Sequence, residues 1–405
     1  MRLLTAAALV LAVASGGAHA ADTVTIGAIY PLLHDDGARA AIETAAEIIN
    51  TPHAGLEKLP LCAGQGLPGL GGAKVAVSFA DDLDNPSVAT GQALRLITRE
   101  HVAALVGAAG TAETLAATAL AERHGIPFLV PDATAPSVTG RGFQWLFRTT
   151  PLAGDIARAY VQFLAAPREN GPKIASVALV FEDSEFGRSE AAALREPLKA
   201  GEFAVSDITY PADATDLSAT AAQLRKQNPD AAIFISHTAD AILFAKTLKN
   251  TGFKPAIEIG DDAGFSDDGF VEKVGNLAQG LLDHSAWSLG KPGSATAILN
   301  DLFKAKTGRD LDDTNGRVMQ GFFVLADAIN RAGSVDASAI QAALRATDLK
   351  PDQLIVGYDG VKFDATGQNT LAATYLTQLQ GKGYVAVWPP DRATEQPQLP
   401  FKGWE

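Results

Sequence analysis

The sequence predicts an α/β fold of two Rossmann-like lobes whose sheets are mainly parallel. Short apolar, β-branched runs alternate with segments of about 10 to 20 residues that have helical spacing, which is typical of a parallel sheet covered by helices on both faces. This alternation begins a second time near residue 150. A chain of 405 residues is also longer than one hydrophobic core usually serves, which favours two domains.

The strand-like runs fall into two sets, before and after residue 150. The first set is VTIGAI (24–29), KVAVSF (74–79), AALVG (103–107) and IPFLV (126–130). The second set is SVALVF (176–181), FAVSDITY (203–210), AAIFIS (231–236) and AIEIG (256–260). Between the runs, SVATGQALRLITRE places Val88, Leu94 and Ile97 on one helical face. A helical region follows at 294–349, and the tail is typical of antiparallel strands with glycine at the bends.

The first twenty residues, MRLLTAAALVLAVASGGAHA, have the three parts of a secretory signal. Arg2 precedes an apolar run, and Ala18-His19-Ala20 provides a small-residue cleavage site. The run is too short for a membrane span. We expect cleavage after Ala20 and no lipid anchor, because no cysteine stands at that point. The signal therefore predicts that the mature protein is exported and free of the membrane.

The charge and cysteine content exclude several functions. With 46 acidic and 33 basic residues and a net charge of −13, the chain should repel nucleic acid and anionic membranes. Cys62 is the only cysteine, so an intramolecular disulfide cannot form even in an oxidising compartment. Since no His-Cys arrangement surrounds it, we expect a free, inert thiol.

Residues 51–72, TPHAGLEKLPLCAGQGLPGLGG, interrupt the alternation with a connection of unusual length. They contain a formal G-x-G-x-x-G at Gly64, Gly66 and Gly69. A dinucleotide site needs a strand before this motif and a helix after it, whereas here Pro68 lies inside it and a strand follows. We interpret the segment as an insertion loop and expect no cofactor.

Motifs for catalysis are missing from the sequence. It has no G-x-S-x-G, H-E-x-x-H, P-loop or C-x-x-C, and no convincing set of nucleophile, base and orienting group. His34-Asp35-Asp36 resembles a metal cluster, but adjacent loop residues rarely converge on one ion without remote ligands. A loop that lines a cleft is the better interpretation. We therefore predict that the protein is not an enzyme.

Small and hydroxyl-bearing residues follow two strands of the first set. Gly107-Ala-Ala-Gly-Thr111 follows AALV, and Asp132-Ala-Thr134 follows IPFLVP. In an open parallel sheet, ligands bind at these carboxyl ends. Thr111 has two explanations at this point: it caps the next helix, or it forms an anion-binding corner with the helix amides.

Five motifs follow one another along the mature chain. They are VTIGAIYPL, ADDLDNPSVAT, PDATAPSVTGRGFQWLFRTTP, VFEDSEFGRS and DAAIFISHTADAILFAKTLKNTGFK. In sequence and spacing these motifs resemble the leucine/isoleucine/valine-binding protein family, the type I periplasmic solute-binding proteins of hydrophobic amino acid ABC transporters. The likeness covers most of the mature chain except 51–72, and it fades after about residue 285.

The resemblance implies two lobes joined by a three-strand hinge. Lobe 1 would comprise residues 21–148 and 287–356, and lobe 2 residues 151–284 and 361–405. The crossovers would lie near 148–151, 283–287 and 356–364. Hinge closure would trap a small-molecule ligand between the lobes, and the protein, a monomer, would deliver this ligand to an ABC transporter permease in the inner membrane.

The resemblance also implies ligand contacts in lobe 1. By position, Thr111 and Thr134 would hold a ligand carboxylate, and the carbonyl oxygen of Asp132 would accept from a ligand ammonium group. The rim of this lobe would include Tyr30, His34 and Asp36.

In lobe 2, Phe186 and His237 stand where the family has tyrosine. Asp262 stands at the family's acidic partner of the ammonium group, and Asp261 takes that place if the register shifts by one.

Some of these positions depart from the family pattern. The family has a small apolar residue at Asp132, where a carboxylate would repel a ligand carboxylate unless it points away or is paired. His237 lacks a phenol, Asp262 is shorter than glutamate, and Cys62 cannot form the family's lobe-1 disulfide. The default ligand is a hydrophobic, branched-chain amino acid, and an amide, an aromatic acid or an amine is the alternative. A ligand sensor on the same fold is the rival function.

Overall fold

In a computed structural model, the chain is described at residues 23–33, 37–166, 171–249, 251–261, 263–266, 268–381 and 383–404. The expected signal at 1–20 lies outside the described residues, and so do His34, Asp36 and Asp262 from the expected ligand site. No helix in the described part of the chain is long and apolar enough to cross a membrane.

The first sheet has five parallel strands in the order β2-β1-β3-β4-β5. They are β1 (Thr23–Tyr30), β2 (Lys74–Asp81), β3 (Ala104–Gly107), β4 (Phe128–Val130) and β5 (Leu146–Arg148). The connecting helices are α1 (Gly37–Asn50), α2 (Pro86–Thr98) and α3 (Thr111–His124). Helix α2 begins where the Asn85 side chain accepts from the amides of Ser87 and Val88. The first set of predicted strands is confirmed.

The second sheet has seven strands in the order β14-β13-β10-β9-β8-β6-β7. They are β6 (Ser176–Glu182), β7 (Ala204–Tyr210), β8 (Ala231–Ile235), β9 (Ile257–Asp261), β10 (Leu282–Ser285), β13 (Tyr375–Gln380) and β14 (Gly383–Trp388). Strands β6 to β10 are mutually parallel, whereas β13 is antiparallel to both β10 and β14. The central strand β8 is buried along its whole length, as expected for a parallel sheet covered on both faces.

Among the described residues, six helices accompany the second sheet. They are α4 (Ala153–Ala165), α5 (Glu185–Ala200), α6 (Ser218–Gln227), α7 (Thr238–Leu248), α8 (Ala263–Ser266) and α9 (Asp268–Val274). The two sheets with their helices confirm the predicted α/β fold of two lobes.

The predicted helical region at 294–349 returns to the first sheet. It contains α10 (Ala295–Thr307), α11 (Asp313–Ala332) and α12 (Ala337–Arg345), followed by a small antiparallel pair, β11 (Asp348–Leu349) and β12 (Val361–Lys362). Helix α11 is buried over most of its length, and its Phe322 shares one core with Ile42 and Val106. The first lobe is therefore built from separated parts of the chain.

In the described residues, the chain passes between the two sheets after β5, after β10 and after β12, and these passages are the expected crossovers. The amide of Arg148 donates to the carbonyl oxygen of Gly367, and the amide of Asn369 donates to that of Arg148. The amide of Gly357 donates to the carbonyl oxygen of Ala286. These hydrogen bonds join the first crossover to the third, and the third to the second.

Residues 51–72 form turns and one short 3-10 helix, Pro68–Leu70. Leu56, Leu67 and Cys62 are buried in the core of the first lobe. At Gly66 the backbone has φ +73°, and a Cβ would lie 2.5 Å from the carbonyl oxygen of Ala73, so glycine serves the turn rather than a phosphate. The segment is irregular, as expected for a loop, and its assignment as an insertion stays a prediction. Burial raises the pKa of the Cys62 thiol to about 12, as expected for an inert thiol.

Candidate functional site

The first-lobe part of the site lies at the carboxyl ends of β1, β3 and β4. Tyr30 ends β1, Gly107 ends β3, and the segment from Pro131 to Ala135 that follows β4 is buried throughout. Gly107 has φ +133°, and a Cβ there would lie 2.3 Å from the carbonyl oxygen of Ile29. Only glycine therefore allows β3 to turn this close to β1.

Thr111 is the first residue of α3, and its side chain is buried. The N-cap is Gly110, which supplies no side-chain hydrogen bond. The explanation of Thr111 as a capping residue is therefore wrong. The anion-binding corner at this helix start stays a prediction.

Asp132 and Tyr30 face each other at the strand ends. Burial raises the pKa of Tyr30 well above its usual value, and the charge of Asp132 and a hydrogen-bonding interaction with it raise the pKa further. The carbonyl oxygen of Asp132, which we expected to face a ligand ammonium group, accepts from Nη1 of Arg317 at 3.3 Å. Arg317 therefore belongs to the site, although the sequence reasoning missed it.

Arg317 forms a buried ion pair with Asp313 on α11. Its Nε lies 2.9 Å from Oδ2 of Asp313, and both side chains are 3% exposed. Oδ1 of Asp313 accepts from the amides of Ala286 and Trp287 in the second crossover. Burial alone would raise the pKa of Asp313, but the charge of Arg317, with that of His284 and these hydrogen bonds, holds it below the usual range.

Arg317 and Asp313 also interact with residues of the other two crossovers. Nη1 of Arg317 donates to Oγ1 of Thr150 in the first crossover at 2.9 Å. Tyr358, in the third crossover, is buried, and this burial raises its pKa; the nearby charges of Asp313 and Asp132 add to the rise. The Asp313–Arg317 pair thus lies where all three crossovers meet the first lobe.

In the second lobe, Phe186 and His237 stack with ring centroids 4.8 Å apart. Nε2 of His237, which is more than half exposed, lies 3.6 Å from Oε1 of the buried Glu182. Burial and then interaction with Glu182 raise the pKa of Asp240 to about 7. These residues follow the carboxyl ends of β6 and β8.

Asp261 ends β9 and is buried, and its Oδ1 accepts a hydrogen bond from the hydroxyl of Tyr160. Its neighbour Asp262 is outside the described residues. The choice between the two aspartates as partner of a ligand ammonium group stays a prediction.

Contact between the lobes is made by Thr134 and Glu190. The Thr134 hydroxyl donates to Oε1 of Glu190 on α5, and both residues are 1% exposed. Sequence reasoning assigned this hydroxyl to a ligand and did not single out Glu190. The structure therefore places a second-lobe carboxylate within the expected first-lobe ligand site. We call this site, formed by Thr111, Asp132 and Thr134, the cradle.

Arg148 holds this cradle to the hinge. Its fully buried guanidinium donates to the carbonyl oxygens of Ala133 and Ala135, each at 2.8 Å, and to Oε1 of Gln368 at 2.7 Å. Burial lowers the pKa of Arg148 to about 10, against the opposing effect of the Glu190 charge.

Two further features of the structure concern ligand or metal binding. Among the described residues, no three His, Cys, Asp or Glu side chains converge as metal ligands. An open groove of about 400 Å³ lies at the hinge between Tyr358 and Arg392. Apart from Tyr358, its lining does not include the cleft residues described above.

Comparison with known proteins identifies the family. Residues 23–384 match the periplasmic binding protein family. The Leu/Ile/Val-binding protein homolog 8 of Brucella suis is 32% identical over 97% of this chain and 97% of its own length. The branched-chain amino acid transporter substrate-binding protein LivJ of Streptococcus pneumoniae, in complex with isoleucine, has a TM-score of 0.74 at 21% identity, covering 89% of this chain and 97% of that one.

A second solved structure binds a different ligand. The ABC transporter solute-binding protein of R. palustris in complex with benzoate has a TM-score of 0.74 at 20% identity, covering 90% of this chain and 95% of that one. The family match spans most of the sequence, and the Brucella relative extends over nearly all of it. The resemblance seen in the motifs is confirmed, and the chain belongs to the periplasmic binding protein family.

Proposed function

We propose that the protein captures a small solute in the periplasm and delivers it to the permease of an ABC importer. The observation that carries this proposal is the contact of Thr134 with Glu190, because it brings the carboxyl ends of two separate sheets together around one cleft. Such a cleft buries a small ligand on most sides, as solute sites between lobes do.

The proposal includes a hinge mechanism. Lobe 1, at residues 21–148 and 287–356, binds the ligand first, and lobe 2, at 151–284 and 361–405, closes over it by movement at the three crossovers. The ligand stabilises the closed form, which the permease then distinguishes from the open one. In this scheme the mature protein is a monomer without its first twenty residues.

The default ligand is a hydrophobic amino acid held by Thr111, Asp132, Thr134 and an aspartate of the second lobe. The LivJ structure with isoleucine supports this choice by analogy. The R. palustris structure with benzoate supports an aromatic acid as the alternative.

The test is a thermal-shift screen of the mature protein against amino acids, amides, aromatic acids and amines, followed by calorimetry. A ligand that binds only the folded state raises the melting temperature, and we expect at least one class to do so. Each ligand should be recovered unchanged after incubation, since the proposal involves no chemistry. A screen without any stabilising compound, or conversion of a bound compound, would contradict the proposed function.

A further inference from the structure

We propose that Glu190 is a specificity-determining residue of the cleft, which disfavours a ligand carboxylate beside Thr134 and favours a ligand with a cationic head group. This inference rests on the proposed solute capture, and among the ligand classes considered it selects amines and amides over the amino acid and the aromatic acid.

The hydrogen bond of Thr134 is the first argument. A threonine hydroxyl can donate only one hydrogen bond, and Thr134 donates it to the carboxylate of Glu190. While the lobes are in contact, this hydroxyl cannot also donate to a ligand carboxylate. The role that the family resemblance gives to Thr134 is therefore occupied by a group of the protein itself.

The second argument is the charge of the cleft. A ligand carboxylate beside Thr134 would lie against the Glu190 carboxylate in a site where both protein groups are 1% exposed, and like charges in contact are strongly unfavourable there. Arg148 has four hydrogen bonds to the cradle and hinge already, to Gln368, Ala133, Ala135 and Thr139. Its guanidinium is thus committed to positioning the cradle.

Counting formal charges leads to the same result. In the described part of the chain, the buried guanidinium groups are those of Arg148 and Arg317, and the buried carboxylates beside them include those of Asp132, Glu190 and Asp313. Carboxylates outnumber guanidinium groups, so an added cation is favoured over an added anion.

Two buried phenols lie beside the same carboxylates. Tyr30 and Tyr358 are 1% and 2% exposed. The Tyr30 hydroxyl interacts with Asp132, and the Tyr358 hydroxyl interacts with Thr150 and lies near Asp132. Buried hydroxyls usually have partners, and a phenol oxygen can accept from the N–H groups of a cationic head group.

The experiment uses ligands that share a side chain and differ in head-group charge. L-leucine, L-leucinamide, isopentylamine and 4-methylpentanoate form one set, and benzylamine and benzoate form another. Affinities of the mature protein are measured by calorimetry at pH 7. We expect the cationic members to bind at least about 10-fold more tightly than the carboxylates.

The substitution Glu190→Gln keeps the size and the hydrogen-bond acceptor but removes the charge. It should reduce the preference for cations by about 10-fold, whereas Glu190→Asp should retain it. Glu196→Gln is the matched control, because Glu196 is on the same helix and 77% exposed; it should change nothing. Melting temperatures establish that each variant is folded. If Glu190→Gln does not fold, the test depends on Glu190→Asp, which should retain the preference for cations.

The outcomes separate the inference from the proposed function. If leucine or a carboxylate binds the natural protein best and Glu190→Gln leaves the order unchanged, the inference is overturned while solute capture stands. If no member of either set binds any folded form, both the inference and the default ligand are overturned.

Discussion

The buried ion pair of Asp313 and Arg317 should be a principal source of stability where the crossovers meet the first lobe. The substitution Asp313→Asn keeps an acceptor oxygen for the amides of Ala286 and Trp287, so it removes the negative charge with little change of shape. Arg317, 3% exposed, then loses the carboxylate of its buried ion pair. Removing one partner of a buried ion pair lowers the free energy of unfolding by about 3–5 kcal/mol. Because the asparagine side chain would retain the hydrogen bonds, we expect a loss near the lower limit, about 3 kcal/mol.

The assay is urea unfolding at pH 7, with Asp348→Asn as the control. Asp348 pairs with Lys350 at 2.7 Å, but both side chains are more than half exposed, and such surface pairs contribute about 0–1 kcal/mol. The two variants therefore make the same chemical change at a buried and at an exposed pair. A loss for Asp313→Asn no larger than for Asp348→Asn would refute the reasoning.

The same prediction can be tested through the pH dependence of stability, because proton binding and folding are linked. The pKa of Asp313 is lowered in the folded state, so the folded protein binds the proton less readily than the unfolded chain. The stability from Asp313 is then present above the ordinary aspartate pKa and is lost as the pH falls through the lower, folded-state value. The difference between the natural protein and Asp313→Asn should shrink in acid, and a constant difference would contradict the stated origin.

Three other predictions each concern one buried residue. Thr134→Ala removes the donor to Glu190 and should weaken ligand binding by about 1–3 kcal/mol with a nearly unchanged melting temperature; unchanged affinity in calorimetry would exclude Thr134 from closure. Burial raises the pKa of Asp240 to about 7 from 3.8, so its contribution to stability is present below the unfolded value and is lost as the pH rises through about 7. Asp240→Asn should remove this loss in urea titrations at several pH values, and an identical pH dependence would contradict it. Finally, buried Cys62, with its pKa raised to about 12, should react with a disulfide reagent only after unfolding, and rapid reaction of the native protein would show that the thiol is accessible.

The strands could be predicted from sequence because each is buried enough to leave a continuous apolar run. AAIFIS, for example, contains β8, which is buried at every position. The pairing of distant segments could not be predicted in this way. Arg148 is hydrogen-bonded to Gly367 and Asn369, and no periodicity in either segment encodes that partner. The discontinuous lobes were therefore accessible only through the family resemblance.

At the site, local reasoning found residues at strand ends and missed those on helices. Tyr30, Asp132 and Thr134 follow strands of a parallel sheet, so their convergence follows from topology. Arg317 and Glu190 come from helices far away in sequence, and Tyr358 comes from a crossover.

A usable signal for Glu190 and Arg317 nevertheless exists in the helical pattern. Glu190 lies four residues after Phe186 and four before Leu194, and both of these are buried, so Glu190 occupies the apolar stripe of α5. Arg317 likewise lies within the buried stretch of α11. Since a charge on a buried stripe is costly unless it is paired, such a residue predicts a polar partner on the facing element. For Arg317 that partner is on the same helix, and for Glu190 the described structure shows one, Thr134, that belongs to the other lobe. The difference matters for the proposed hinge mechanism, in which a pair within one lobe would persist when the cleft opens, whereas a pair between lobes would form and break with each cycle of closure.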